Sequence, residues 1–369
     1  MNILINLSNL SGGGGGQVAD SVISLLNEFP AHQFYVVYPT SLNYIAQKVS
    51  AYKNVDLINY NFPTKDWKSL FTGRNSFLDS IVNIKEIDVV LTLFGPMKWV
   101  PKCKHVVGFA LAHLVLTDSP YFTRMPLKEK TKWKFKIHFM RYLFRRNGTV
   151  LFSENQFISE KLKSLYPHKR IFTITNNYNQ VFDHPELQEE CQLPQFNGFQ
   201  LLDIASAGEH KNQKIAIETA KILKRKHPDF KFRFVFTIRE IDFPSIPADI
   251  KKNFYFTGPV KINQCPYLYK QCDAEFQPTL LECFTATYPE AMKMRKPIIT
   301  TDLEFSKSIC RDAAMYYEAD SPEAAAEAIY KVATDDNLRN ELIRKGEKEI
   351  NNFDTPLSRI EKLISICQS

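Results

Sequence analysis

The chain has 369 residues, too many for one ordinary hydrophobic core and suited to two domains of usual size. Its hydrophobic content of 44% is that of a globular protein, and charges or prolines interrupt every apolar segment, so no transmembrane helix is expected. The seven cysteines form no CxxC pair and no zinc-like cluster with histidine, which predicts reduced thiols in a cytoplasmic protein.

The net charge of +7 is unevenly distributed along the chain. Residues 1–180 contain 22 Lys and Arg against 11 Asp and Glu, whereas residues 181–369 contain 25 against 29. This asymmetry predicts that the N-terminal half meets an anionic partner. No helix-turn-helix, zinc-finger or RNA-binding signature accompanies the charge, so no nucleic acid is expected. A membrane surface or an anionic acceptor fits at least as well.

Short strands alternate with helices from the N-terminus onwards, which is the pattern of α/β layers around mainly parallel sheets. The strands predicted in the first half are 2–7, 33–38, 55–58, 88–93, 104–109, 149–153 and 171–174. The helices predicted between them are 17–29, 41–50, 76–86, 125–146 and 155–165. A second series follows, with strands at 200–205, 231–236, 253–256, 273–277, 297–300 and 314–317 and helices at 212–227, 263–271, 288–295, 304–310 and 322–333. More helix is predicted from residue 335 to the end.

These two series predict two doubly wound, Rossmann-like α/β domains. We expect an N-terminal domain over residues 1–180, a linker over 181–199 and a C-terminal domain over 200–350. The last segment, 351–369, is predicted to be helical and to return to the N-terminal domain.

The segment PTLLECFTATYPEAM, residues 278–292, is the strongest candidate for chemistry. It predicts a strand end, a loop and a helix that begins near Tyr288, with Thr287 as a suitable N-cap. The exposed amides of such a loop and helix start favour a diphosphate. Glu282 in the loop and Glu290 in the first helical turn frame this place, although an interaction with the helix dipole also accounts for Glu290.

The spacing Glu282-x7-Glu290, followed by PIIT at 297–300, resembles the donor-site motif of the retaining GT-B glycosyltransferases of family 4, or group 1. The segment TGPV at 257–260 matches the place where that family turns beneath the nucleotide base. The resemblance spans most of the C-terminal domain. It implies a GT-B fold, in which two Rossmann-like domains face a cleft, and a nucleotide sugar as donor.

The same resemblance implies roles for individual residues. Glu290 should bind the ribose hydroxyls of the nucleotide, and Glu282 should bind hydroxyls of the donor sugar. Backbone amides near Phe284 and Thr285 should contact the diphosphate, and Gly258 should lie beneath the base.

A second motif, AGEHKN at 207–212, follows the strand predicted at 200–205. In the family this place carries an arginine and then a lysine, which neutralise the leaving diphosphate. Lys211 matches the lysine, whereas residues 204–206, Ile-Ala-Ser, leave the arginine without a counterpart. A solvated lysine at a helix start is the alternative for Lys211.

Two further candidates lie in the N-terminal half. Five consecutive glycines, Gly13, Gly14 and Gly15 among them, precede helix one in a spacing that is neither GxGxxG nor GxxxxGK[ST]. The family has a glycine-rich loop here that faces the donor, and a flexible surface turn is the alternative. His113 stands where the family commonly has a histidine near the donor sugar or acceptor, although a lone histidine is more often structural. His105, inside a strand, is expected in the core.

The resemblance therefore implies transfer of a hexose-type sugar to an acceptor hydroxyl, with retention of configuration by front-face attack. No Asp-x-Asp pair follows an apolar strand, so no metal and no other cofactor is expected. We expect the acceptor to be a bacterial-type surface polysaccharide or a lipid-linked glycan. Two alternatives stay open: a nucleotide-sugar epimerase or phosphorylase on the same fold, and a non-catalytic protein that binds sugar nucleotides or scaffolds an assembly.

Residues 128–146 predict a basic amphipathic helix with two apolar stripes. The first stripe contains Trp133, Ile137, Met140 and Phe144, and the second contains Phe135, Phe139, Tyr142 and Leu143. Lys134, Arg141 and Arg145 lie in an arc between the stripes. One stripe suffices to dock the helix on its own domain, so the second predicts peripheral contact with an anionic membrane. Burial of both stripes is the alternative.

Overall fold

The computed structural model describes residues 1–63 and 65–369. The strands in this part of the chain are β1 (Asn2–Asn6), β2 (Gln33–Tyr38), β3 (Val55–Asn59), β4 (Val89–Thr92), β5 (Lys104–Phe109), β6 (Val150–Ser153), β7 (Arg170–Thr173), β8 (Phe199–Asp203), β9 (Phe232–Phe236), β10 (Phe254–Phe256), β11 (Ala274–Gln277), β12 (Ile298–Thr301) and β13 (Ala314–Tyr317). The α-helices are α1 (Gly13–Ile23), α2 (Asn43–Val49), α3 (Trp67–Thr72), α4 (Ser76–Ile84), α5 (Pro120–Thr123), α6 (Leu127–Arg146), α7 (Gln156–Leu165), α8 (Ile215–Lys226), α9 (Cys265–Gln271), α10 (Thr287–Lys293), α11 (Glu304–Cys310), α12 (Pro322–Thr334), α13 (Asp336–Glu349) and α14 (Pro356–Gln368).

The first of two compact units comprises Met1–Val115, Pro126–Asn176 and Asp354–Ser369. Strands β1 to β7 form one sheet in the order β3-β2-β1-β4-β5-β6-β7, and all their pairings are parallel. A parallel sheet is covered on both faces, so its central strands are continuous apolar runs. Strand β4 illustrates this, since all four residues of its sequence VVLT are buried.

The C-terminal helix α14 belongs to this first unit. Its residues Ile360, Leu363 and Ile366 pack into the same hydrophobic core as β1 and β4. The guanidinium of Arg359 lies 2.5 Å from the carboxylate of Glu154, and both side chains are almost fully buried. Removing one partner of such a buried charge pair strongly destabilises the folded protein, so the pair fixes where the helix docks.

The second unit comprises Leu116–Met125 and Asn177–Phe353, and therefore includes residues 181–199. Its parallel sheet has the order β10-β9-β8-β11-β12-β13. Alternate residues of β9 point to one face, where Phe232, Phe234 and Phe236 are buried. The ring of Phe234 lies 5.3 Å from that of Phe276 on β11, so this aromatic layer joins two strands of the sheet.

The structure confirms the α/β prediction, because each predicted strand is present with ends within two residues. The prediction lacked α3 and α5, whose six and four residues show too little periodicity to be recognised. It was wrong about helix one, which begins at Gly13 rather than residue 17 and ends at Ile23 rather than residue 29. Glycine has low helix propensity, but burial of Val18, Ala19 and Val22 against the sheet outweighs it.

Candidate functional site

The loop between β11 and α10 carries Glu282. The hydroxyl of Thr301 on β12 donates to the carbonyl of Thr279 at 2.8 Å, which fixes the start of the loop. The hydroxyl of Thr279 lies 3.3 Å from the Glu282 carboxylate and donates to it. Glu282 is thereby held beyond the carboxyl end of a parallel strand, which is where doubly wound sheets bind ligands.

A second loop, after β8, carries Lys211 and meets the first loop directly. The amide of Leu280 donates to the carbonyl of His210 at 2.8 Å, so the two loops share a backbone hydrogen bond. Atom Nζ of Lys211 lies 2.5 Å from Oε1 of Glu282, and each of these side chains is 16% exposed. The structure thus brings together two residues that the sequence singled out in separate motifs.

The charge on Lys211 is favoured by its surroundings. Burial lowers the pKa of the ammonium, but the carboxylates of Glu282, Asp203 and Glu275 outweigh burial and raise that pKa above its ordinary value. The pair is mostly shielded from water, so salt screens it less than a surface pair. The alternative of a solvated lysine is therefore wrong.

Glu290 lies in the first turn of α10 and is 3% exposed. Its Oε2 atom is buried without a hydrogen-bond partner among the described residues. Burial, and then the charge of Glu275, raise the pKa of Glu290 well above its ordinary value. A buried polar atom left unpaired is costly, and a bound ligand can supply the missing donor.

Thr287 is not an N-cap, so that prediction was wrong. Helix α10 begins at Thr287, and its N-cap residue is Ala286, which makes no side-chain capping bond. The Thr287 hydroxyl instead accepts a hydrogen bond from the buried side-chain amide of Gln277 at 3.1 Å. The helix start therefore has no side-chain cap, and Glu290 does not act as one.

The remaining candidates of this unit are Phe284, Thr285 and Gly258. Phe284 is half-buried, and its ring packs edge-on against Phe353 with 5.9 Å between centroids. Thr285 is buried, and its hydroxyl has no partner among the described residues. Gly258 follows β10 with a φ of 73°, which favours glycine, and it borders a cavity of about 260 Å³.

In the first unit, Gly13, Gly14 and Gly15 form the first turn of α1 rather than a loop. A Cβ atom at Gly13 or Gly14 would contact no other atom, so these backbones are open on one side. His113 lies in a 3-10 turn after β5, with its ring edge-on to Trp133 at 5.0 Å. His105 is buried and its Nε2 lies 2.9 Å from the Thr92 hydroxyl, which confirms its place in the core.

The three cations of α6 that were predicted to contact a membrane differ in their exposure to solvent. Lys134 and Arg145 are exposed. The guanidinium of Arg141 is half-buried and donates from Nε to the carbonyl of Leu114 at 2.9 Å. Arg141 therefore anchors the helix to its own unit, because a buried carbonyl holds the guanidinium away from solvent.

The two apolar stripes of α6 also differ in burial. Ile137 and Phe144 are buried, as expected for the stripe that docks the helix. In the second stripe Phe135, Phe139 and Tyr142 are 75%, 42% and 49% exposed, whereas Leu143 is buried. The prediction of a second exposed stripe was wrong only at Leu143, which lies far enough around the helix to reach the core.

Three general observations apply to residues 1–63 and 65–369. No group of three or more His, Cys, Asp or Glu side chains there is arranged to hold a metal ion. No helix there is long and apolar enough to cross a membrane. The seven cysteines are free.

Comparison with known proteins decides the family. Residues 194–349 match the family model described as glycosyl transferases group 1. These residues form a group 1 glycosyltransferase domain. The match contains Lys211, Gly258, Glu282 and Glu290, so the resemblance seen in the sequence is confirmed. No curated protein sequence matches the chain.

Solved structures show the same fold over the whole chain. A glycosyltransferase from Rickettsia africae has a TM-score of 0.68 at 16% identity, covering 100% of this chain and 97% of the other. An E. coli trehalose-6-phosphate protein bound with UDP-2-fluoro glucose has a TM-score of 0.67 at 9% identity, covering 100% and 99%. The S. aureus protein TarM, in complex with α-GlcNAc-glycerol and UDP, has a TM-score of 0.66 at 10% identity, covering 100% of both chains. The predicted GT-B fold is confirmed.

Two buried acids of the glycosyltransferase domain were missed in the sequence. Burial raises the pKa of Asp203, at the end of β8, and of Glu275, on β11, to about 7. The hydroxyl of Tyr269 donates to Glu275 at 3.1 Å, and the same two acids help to raise the pKa of Lys211. For Glu275 the available signal was an acidic residue inside a predicted strand, AEFQ.

The segment Leu116–Met125 was also missed, although it belongs to the second unit. Arg124 lies within hydrogen-bond distance of Asn212, the residue that follows Lys211. No local pattern in the sequence indicates this contact, because the two residues are far apart along the chain.

Proposed function

We propose that this group 1 glycosyltransferase moves a hexose-type sugar from a nucleoside-diphosphate sugar to an acceptor hydroxyl, with retention of configuration. The observation that carries the proposal is the contact between Lys211 and Glu282 at the carboxyl ends of β8 and β11. Nucleotide binding to this fold is supported by the two similar structures that contain UDP or UDP-2-fluoro glucose.

Each charged residue has a separate task in the proposal. Glu290 accepts a hydrogen bond from a ribose hydroxyl through its unpaired Oε2. The donor's diphosphate competes with Glu282 for the ammonium of Lys211, which Glu282 holds in the free protein. Sugar hydroxyls then donate to Glu282. Donor binding thus replaces the Lys211–Glu282 ion pair by contacts of Lys211 with the diphosphate and of Glu282 with the sugar. Backbone amides near Phe284 and Thr285 complete the diphosphate site.

The transfer itself is a front-face displacement in this proposal. The bond between the sugar's anomeric carbon and the phosphate oxygen breaks, and the acceptor oxygen bonds to that carbon on the same face. The acceptor's proton passes to the leaving phosphate oxygen, and a nucleoside diphosphate is released. Lys211 stabilises the charge that develops on the leaving group, which assigns this task to the protein rather than to a metal ion.

We further propose that the acceptor is a glycan or lipid-linked glycan at the cytoplasmic face of a bacterial-type membrane, with α6 resting on anionic lipid. The exposed face of α6 combines Phe135, Phe139 and Tyr142 with surrounding lysines, which suits a headgroup boundary. Helix α3 adjoins it, because the Arg146 guanidinium donates to the Leu70 carbonyl.

Helix α3 extends this aromatic and basic surface. Trp67 and Phe71 are 65% and 79% exposed, and Lys68 lies between them in the same helix. Aromatic side chains insert at the boundary between headgroups and acyl chains, and nearby cations attract anionic lipid. Two neighbouring helices that both expose aromatic and basic side chains support a lipid surface as the partner of this unit.

The rival function is binding of a sugar nucleotide without turnover. The specific observation in its favour is the absence of an arginine at residues 204–206, before Lys211. Loss of one cation weakens stabilisation of the leaving group more than it weakens binding of the donor.

A two-step experiment separates these functions. Thermal-shift measurements with UDP, GDP, ADP and TDP identify the base, since a ligand at a hundred times its Kd stabilises by about 2.7 kcal/mol. Nucleoside-diphosphate sugars that carry the base found to bind are then tested with lipid-linked and polysaccharide acceptors. The anomeric configuration of the product is determined by NMR. Binding without release of nucleoside diphosphate would favour the rival, and an inverted product would contradict retention.

A further inference from the structure

The segment Leu116–Met125, which contains α5, contacts both loops of the donor site within the second unit. The hydroxyl of Ser119 donates to the carbonyl of Leu280 at 2.6 Å, two residues before Glu282. The ring of Tyr121 packs edge-on against His210, with 6.2 Å between centroids. One stretch of chain therefore touches the neighbours of both members of the Lys211–Glu282 pair.

Arg124 contacts the residue that follows Lys211 in the chain. Its Nη1 atom donates to Oδ1 of Asn212 at 2.9 Å, and its Nη2 atom forms a close ion pair with Asp320. The side-chain amide of Asn212 donates to the same Asp320 carboxylate at 3.4 Å. Three side chains therefore form a closed network around the residue that follows Lys211.

The backbone of Asn212 requires this support. Its φ of 53° lies in the left-handed region, which an asparagine adopts only at some energetic cost, and the residue is buried. Its carbonyl accepts the amide of Ile215 at 3.0 Å, where α8 begins. If the network were lost, relaxation of this turn would move the adjoining Lys211 away from Glu282.

We propose that Arg124 is a positioning residue of the donor site, which holds Lys211 against Glu282 through Asn212. Ser119 has the matching task for Glu282, through Leu280. Arginine suits this position because its planar guanidinium donates to two acceptors at once, which lysine does not do in the same geometry. The inference rests on the proposed function, because it assigns a role within the same site.

The test measures nucleoside-diphosphate release by Arg124→Ala and Arg124→Lys, with the donor identified for the unmodified protein. Both variants should lower kcat by roughly 10-fold or more, as expected for loss of a charge-assisted hydrogen bond. The control is Arg339→Ala on α13, which also loses an aspartate partner, Asp336, and a bond to the Val332 carbonyl. The control should keep kcat within about 2-fold, because surface pairs of this kind contribute little.

A double-mutant cycle separates positioning from general destabilisation. In a Lys211→Ala background, Arg124→Ala should change kcat by less than about 2-fold, because no ammonium remains to be placed. Ser119→Ala removes one hydroxyl and serves where Arg124→Ala does not fold. It should lower kcat several-fold in the unmodified protein but not in a Glu282→Gln background.

An equal loss from Arg124→Ala in both backgrounds, or unchanged kcat, would overturn the inference. A protein that binds UDP, or whichever of the four nucleotides is found, but transfers no sugar overturns the proposed turnover alone. In that case nucleotide affinity, measured by calorimetry, replaces kcat in the same double-mutant cycle. Unchanged affinity in Arg124→Ala then overturns the inference. A protein that binds none of the four overturns both.

Discussion

Atom Nζ of Lys211 lies 2.5 Å from Oε1 of Glu282, so the cation proposed for the diphosphate is held by the carboxylate proposed for the sugar. The two loops that carry these residues are joined by the backbone bond from Leu280 to His210. Because one ligand must satisfy both members of the pair, changes at Lys211 and Glu282 should have coupled effects on turnover.

The two glutamates should separate nucleotide binding from sugar transfer. Glu290→Gln should weaken binding of the free nucleotide by roughly 10- to 150-fold, because an amide replaces the carboxyl group proposed to accept from the ribose hydroxyl. Glu282→Gln should not weaken free nucleotide, since it releases Lys211 for the diphosphate, but should lower kcat. Calorimetry and product release measure the two effects, and equal loss of nucleotide affinity in both variants would refute the division of roles.

Lys211→Ala should lower kcat by roughly 100-fold or more, as for removal of one preorganised donor to a developing negative charge. The matched control is Lys214→Ala, three residues later, which removes an exposed lysine paired with Glu209. Product release under saturating donor distinguishes them. Near-normal turnover in Lys211→Ala would show that another cation stabilises the leaving group.

The buried acids should make stability depend on pH. Burial raises the pKa of Glu275 to about 7 in the folded chain, above its ordinary value near 4.5. The folded state then binds more protons than the unfolded state between about pH 4.5 and 7, so the free energy of unfolding falls as pH rises through that window. Glu275→Gln should remove this fall, which is on the order of 3 kcal/mol for one group.

Melting temperatures at pH 5 and pH 8 test this expectation. The difference in melting temperature between Glu275→Gln and the unmodified protein should favour the variant more at pH 8 than at pH 5. The exposed Glu327→Gln variant should show no such dependence on pH. Asp203 has its pKa raised to about 7 by burial as well, so Asp203→Asn should behave in the same direction. Parallel melting curves for Glu275→Gln and the unmodified protein would contradict the prediction.

The exposed face of α6 should bind anionic vesicles. The protein should float with phosphatidylglycerol-containing vesicles but not with neutral ones, and rising salt should release it. Replacing Lys132, Lys134 and Arg145 by glutamate should abolish flotation and leave nucleotide binding unchanged. Arg141 is spared, because it holds the Leu114 carbonyl.

The control for flotation carries the same change of charge elsewhere. Lys231, Lys252 and Lys331 are exposed in the second unit, and their replacement by glutamate should leave flotation intact. Phe135→Ser should weaken flotation without changing net charge, since its ring is 75% exposed. Absence of flotation by the unmodified protein would contradict the membrane proposal.

The sequence by itself determined the strands, the family and most candidate residues, because these depend on local patterns. Alternating strands and helices, and the spacing from Glu282 to Glu290, are each contained within short stretches of chain. It failed at Thr287, where the rule for N-caps was sound but the hydroxyl accepts a bond from Gln277 on another element. It also failed at Leu143 and Arg141, whose burial depends on what packs beside α6.

Only the tertiary structure decided the electrostatics of the site. The contact between Lys211 and Glu282, the unpaired oxygen of Glu290 and the raised pKa values of Asp203 and Glu275 arise from burial and from neighbours distant in sequence. Arg124 is the clearest case, since Asn212 is 88 residues away along the chain. Secondary structure depends on near neighbours, whereas desolvation and charge pairing depend on which distant segments the fold brings together.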